Sequence, residues 1–246
     1  NISGNSWPPQ YLEAIQYYLM RFPSHHFASA ARYQLGQYYR RKGEQLRAAE
    51  ELSRVAEDFR YIVDARLLAF RSYVEELEKL KRKDKKSTNA QELYAKALRT
   101  KELFKTALNG KFQSIPDEKE KASLDKSSAF AALLSARLYT SGPTQNYARA
   151  FEEIKDFDLF YPQQRELFLP ASLLMIGSLQ GLNRIEEAGK AVEQLIRDYG
   201  NHPKSGQIYN QLTQQFQAKA QILQAQRKKE AAQGCKRIVQ MLKSAK

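Results

Sequence analysis

The residues that most often carry chemistry are few and poorly grouped. His25 and His26 are adjacent, and His202 is remote from both. None has the i, i+4 His-Glu-His spacing that puts metal ligands and a general base on one helix face, so all three read as loop histidines. Cys235 is the only cysteine and cannot form an internal disulfide. Its neighbours Lys236 and Arg237 could lower its pKa, although a lone helical cysteine is more commonly a small packed residue. Gly142, Gly177 and Gly181 are scattered rather than clustered ahead of a helix, so no phosphate-cradling loop is present. Glu75-Glu76-Leu77-Glu78, Glu152-Glu153 and Glu186-Glu187 are carboxylate runs. Helix neighbours point about 100° apart and cannot share one substrate, so these runs read as solvated faces. The tyrosines Tyr11, Tyr17, Tyr18, Tyr33, Tyr38 and Tyr39 could stack on bases or sugars, but fit helix packing better. No catalytic residue, metal ligand or cofactor is expected, and the chain is not read as an enzyme.

The elements around these residues are helices. The 246 residues are 42% apolar and hold only 11 Gly and 8 Pro. Ala, Leu, Gln, Glu, Lys and Arg dominate, which lose least on entering a helix. An all-α class with a buried core follows. No run approaches the ~18 apolar residues that span a bilayer, so no membrane-spanning segment is expected. Asn1 opens the chain without an initiator Met or a charged-then-apolar leader, so a targeting segment is expected to have been cleaved or to lie outside this sequence. The net charge of +13 bears on partners.

Pro8-Pro9 marks a helix start, and Tyr11, Leu12, Ile15, Tyr18, Leu19 and Phe22 form a helical stripe ending at Pro23. Phe27–Tyr39 and Glu44–Phe59 read as two helices broken at Lys42-Gly43. Where such helices cross closely, small residues must meet, and Gly36 and Ala48 supply them. Leu35, Gly36, Tyr39 and Ala48 resemble the tetratricopeptide repeat pattern. Leu52 and Val55 replace its aromatic and alanine, Arg32 its tryptophan and Arg60 its terminal proline, so the unit is degenerate. The Phe22-Pro23-Ser24 entry into an Ala-rich helix is similar to bacterial envelope tetratricopeptide proteins, the barrel-assembly lipoproteins and Tol-Pal coordinators. That likeness covers about the first sixty residues and implies the periplasm or outer-membrane periphery.

The theme returns at Ile176, Gly177, Ala188, Val192 and Leu195, with a turn near Leu182-Asn183 one residue shorter, and at Ala136, Tyr139, Ala148 and Phe151. The expected organisation is one tetratricopeptide-like α-solenoid. Residues 1–62 and 125–204 hold its hairpins, 63–124 is a degenerate helical stretch with charged loops, and 205–246 forms basic C-terminal helices. Lys81–Thr88 and Asn109–Asp117 are expected loops.

The resemblance implies a non-catalytic protein-interaction scaffold or a subunit of a larger assembly, gripping partner segments in a concave groove. Its offsets put Tyr33, Gln37 and Arg40 in that groove, with Arg71 and Arg137 further along. The expected partners are other proteins, acidic ones among them. The alternative is a nucleic acid or anionic surface bound through the basic loop and tail.

Overall fold

Proline at the first turn and a stripe of large apolar residues produce α1 (Pro9–Arg21), which closes at Phe22 just before Pro23. The computed structural model describes residues 7–81, 87–114 and 117–245, and among them are twelve α-helices, one short 3-10 turn and no strand. The all-α expectation therefore holds. Among the described residues no helix is long and apolar enough to cross a membrane. The chain divides into two compact units, Asn1–Gln145 and Asn146–Lys246.

In the N-terminal unit, α2 (Ala28–Arg41) and α3 (Gln45–Ser53) pair, followed by α4 (Ile62–Lys81), α5 (Thr88–Ser114) and α6 (Glu118–Ser141). Helix α4 is central and packs against α3, α5 and α6. Ala65, Ala69, Phe70 and Val74 on it are fully buried, which is why its apolar residues run round several faces rather than one. Truncating Phe70 to Ala removes about 3–5 kcal/mol by the usual cost of such cavities.

Two boundaries differ from the sequence expectation. Helix α3 ends at Ser53 rather than near Phe59. Arg66 of α4 is buried there and donates from Nη1 to the Ser53 carbonyl (2.6 Å) and from Nη2 to the Val55 carbonyl (3.1 Å) and Glu57 (2.6 Å). A guanidinium thus takes up carbonyls that a helix end leaves open. Helix α5 continues through Asn109 and Gly110, so the expected Asn109–Asp117 loop is shorter. Buried Ala107 and Leu108 extend its packed stripe, and one exposed glycine, worth about 1 kcal/mol against Ala, does not stop it. Asp117 then caps α6 by accepting from the Lys119 N–H (2.9 Å). Ile115 and Pro116, and most of the expected Lys81–Thr88 loop (Arg82 to Lys86), lie outside the described residues.

The C-terminal unit holds α7 (Tyr147–Glu152), α8 (Phe157–Phe160), α9 (Phe168–Gly181), α10 (Ile185–Tyr199), α11 (Ser205–Ala225) and α12 (Lys229–Ser244). The basic tail is a packed hairpin. Helices α11 and α12 lie against each other, and Cys235, Leu223 and Leu242 between them are fully buried.

One turn recurs in both units. Gly43, Asn183 and Arg227 have φ of 77°, 62° and 60° and follow α2, α9 and α11. In each case the next N–H reaches back five residues, Glu44 to Tyr39, Arg184 to Leu179 and Lys228 to Leu223, all at 2.9 Å. The left-handed residue's own N–H bonds the carbonyl three back: Arg40 (3.0 Å), Gln180 (3.2 Å) and Gln224 (3.0 Å). This is the Schellman helix stop. Tyr39, Leu179 and Leu223, four before the turn residue, are buried, and so are Ala48, Ala188 and Ala232, five after it.

That register corrects two readings. A Cβ on Gly36 would overlap the Leu52 side chain, so the close approach is Gly36 to Leu52 rather than to Ala48. In α9 the position matching Gly36 is Ile176, and a Cβ on Gly177 would meet nothing within 4 Å, so Gly177 is not a crossing point. The turn is also not one residue shorter. A glycine that the C-terminal unit's packing does require is Gly181, against the ring of Tyr147. The expected Ala136–Ala148 pair spans the two units; within its own unit α6 packs on α4 and α5, and α7 on α9.

Candidate partner-binding face

Helices α2, α4 and α6 bring the expected groove residues of the N-terminal unit into one chain of contacts. Positions 33, 37 and 40 on α2 are three or four apart and share a face. Across from them on α4 stand Asp64, Arg71, Glu75 and Glu78, spaced at three, four and seven residues. The Tyr33 hydroxyl donates to the Asp64 carboxylate, and its ring packs on Phe59 (5.6 Å) and stacks on Tyr61 (5.7 Å, 18° between planes). Arg60 in turn covers Tyr61 at 4.4 Å, within cation–π range. Burial, reinforced by the Asp64 hydrogen bond and charge, raises the Tyr33 pKa, while a hydrogen bond with Gln37 works against it.

Arg40 is half-buried, and desolvation first, then the nearby Arg71, lower its pKa, with Glu75 and Asp64 partly offsetting this. Its buried Nε has no hydrogen-bond partner among the described residues. Arg71 donates from Nε to Glu75 (2.6 Å) and lies over Phe130 of α6 at 5.3 Å. Arg137 donates to Glu78 from Nε (3.1 Å) and Nη2 (2.5 Å), and Ser141 reaches the same carboxylate at 3.5 Å.

Asp64, Glu75 and Glu78 were not legible in the sequence as the partners of Tyr33, Arg71 and Arg137. The run Glu75-Glu76-Leu77-Glu78 is not a solvated face throughout. Glu75 and Glu78 are partly buried against arginines, and Glu76 pairs with Lys79. Their i, i+3 spacing was the signal available. Tyr33, Tyr61 and Asp64 also border an open cleft of about 450 Å³ together with Lys111 and Glu120. The cleft is mixed in polarity, and Val63, Ser123, Leu124 and Ser127 line it as well.

Elsewhere, burial pushes the Cys235 thiol up rather than down, and the cation opposing this is Lys219, not Lys236 or Arg237. Among the described residues no group of three or more His, Cys, Asp or Glu side chains could hold a metal ion.

Fold and site together define an all-α protein of helical hairpins with a polar, arginine-bearing face on one unit. Compared with known proteins, the chain matches no family model, no curated protein and no solved structure.

Proposed function

We propose that this protein is a non-catalytic interaction scaffold, built as a degenerate tetratricopeptide-like solenoid, that holds a segment of a partner protein against the α2/α4/α6 face. The observation that carries the reading is Arg40, a half-buried guanidinium held beside a second cation, Arg71, whose mutual repulsion a carboxylate from a bound chain would offset. Around it Arg71 and Arg137 are already fixed by Glu75 and Glu78, so little side-chain freedom is lost when a partner docks. The Arg60–Tyr61–Tyr33 stack adds a rigid aromatic surface beside the cleft, of the kind that anchors interfaces. The recurring turn at Gly43, Asn183 and Arg227 supports the repeat reading. An acidic or carbonyl-rich extended segment suits this face.

The test is quantitative co-purification with Tyr33→Ala/Arg40→Glu beside an exposed control, Lys96→Glu on α5. Selective loss of specific partners from the α2 variant supports the reading. Equal partner spectra from both variants would overturn it.

A further inference from the structure

The hairpin of the C-terminal unit carries a second, chemically different site. At its closed end a cleft of about 530 Å³ is lined by Arg227, Lys229, Lys236 and Arg237 together with glutamines that include Gln224 and Gln240. A second cleft of about 520 Å³ shares Gln224, Lys236 and Gln240 with it and continues along the hairpin past Gln217 and Gln221. Among the described residues no Asp or Glu lines either cleft. The four cations are exposed, and none has an ion-pair partner among the described residues. From Lys204 to Lys246 the sequence carries nine Lys and Arg against the single acid Glu230.

We infer that this cleft binds the phosphodiester backbone of a nucleic acid, independently of its base sequence. Lys229 and Lys236 are seven residues apart on α12, about 10 Å along the axis, which equals about three of the ~3.4 Å axial rises that separate successive charges on one duplex strand. Gln233 lies between them and Gln240 beyond, and side-chain amides also donate to phosphate and sugar oxygens. The apolar part of the lining is Ala220, Ala232 and Val239, all buried, so the aromatic and aliphatic anchors of a protein interface are missing. The absence of lining aromatics also removes base stacking, so capture is by charge and hydrogen bonding alone. A strand fits a concave groove where a membrane surface does not.

The experiment is fluorescence anisotropy of the whole chain with a mixed-sequence RNA strand and a DNA duplex, repeated with polyglutamate and with phosphatidylserine vesicles. With four phosphates engaged, raising salt from about 50 to 200 mM weakens binding about 50-fold for the strand and about 150-fold for the duplex. Lys229→Glu/Lys236→Glu/Arg237→Glu loses at least about tenfold. The charge-matched Lys190→Glu/Arg197→Glu/Lys204→Glu loses clearly less. Lys236→Gln, a mild exchange at an exposed position, lowers the salt slope by about one without changing the circular dichroism. Three results would overturn the inference: no nucleic-acid binding at low salt, equal loss in the two triple variants, or tighter binding of polyglutamate or vesicles than of nucleic acid.

Discussion

Arg137 on α6 holds Glu78 on α4 through two nitrogens, at 3.1 and 2.5 Å, and so ties together two helices that begin 56 residues apart in the chain. A bidentate pair has a fixed direction as well as a charge. Both side chains are about one-third exposed, so its contribution to stability is modest. A double-mutant cycle with Arg137→Ala and Glu78→Ala is expected to give a coupling of about 1 kcal/mol in urea unfolding. Additive single effects would mean that the pair does not position this face.

Two glycines should respond in opposite directions. Gly36→Ala drives a methyl into Leu52 and should cost about 1–3 kcal/mol. Gly110→Ala adds a methyl in open space within α5 and should stabilise by about 0.5–1 kcal/mol through helix propensity. Thermal melts of both variants check the sign of each.

This contrast also shows how far the sequence could be read. Helix identity followed from the 3.6-residue apolar period, and Gly36 stood out because a close approach permits little else. Register did not follow, because Gly177 looked like a second crossing residue while the position is filled by Ile176. The marker that does recur is the left-handed turn residue. It is Gly43 once, but Asn183 and Arg227 elsewhere, and arginine is a poor predictor of positive φ. The hairpin of α11 and α12 was therefore legible only as a basic tail. The offsets that the tetratricopeptide resemblance implies assign Tyr33, Gln37 and Arg40 to one face. Asp64 and Glu78 could not be assigned to their partners, because the Tyr33–Asp64 and Arg137–Glu78 contacts cross between helices, whereas Arg71–Glu75 is an i, i+4 pair within α4.

Arg227→Gly relieves that strained backbone and should raise the melting temperature, with a gain on the order of 1 kcal/mol. Gly43→Ala should do the reverse by a similar amount. Equal responses of the two variants would argue against a shared turn geometry.

Tyr33 predicts a pH dependence. Its phenol is held above the ordinary 10.0 by burial first and by Asp64 second. A raised folded pKa means that the neutral form's contribution is complete below 10 and is lost as pH climbs through the higher folded value. The stability difference between the wild type and Tyr33→Phe should therefore shrink as pH rises above 10, in melts taken across the alkaline range. A constant difference would place the Tyr33 hydroxyl outside the Asp64 contact.

Cys235 should be inert in the folded chain. It is fully buried and its thiol is pushed up, so the thiolate that reacts with a disulfide reagent is scarce and covered. Release of the reagent's chromophore should be negligible in buffer and stoichiometric in denaturant.

The most direct measurement of the scaffold reading is site-specific photocrosslinking in cells, with a photoreactive residue replacing Gln37 on the α2 face or Glu92 on the exposed side of α5. Reproducible adducts to a defined partner from position 37, lost on adding Arg40→Glu and missing from position 92, are the predicted result. Adducts that are the same from both positions, or none from position 37, would contradict it.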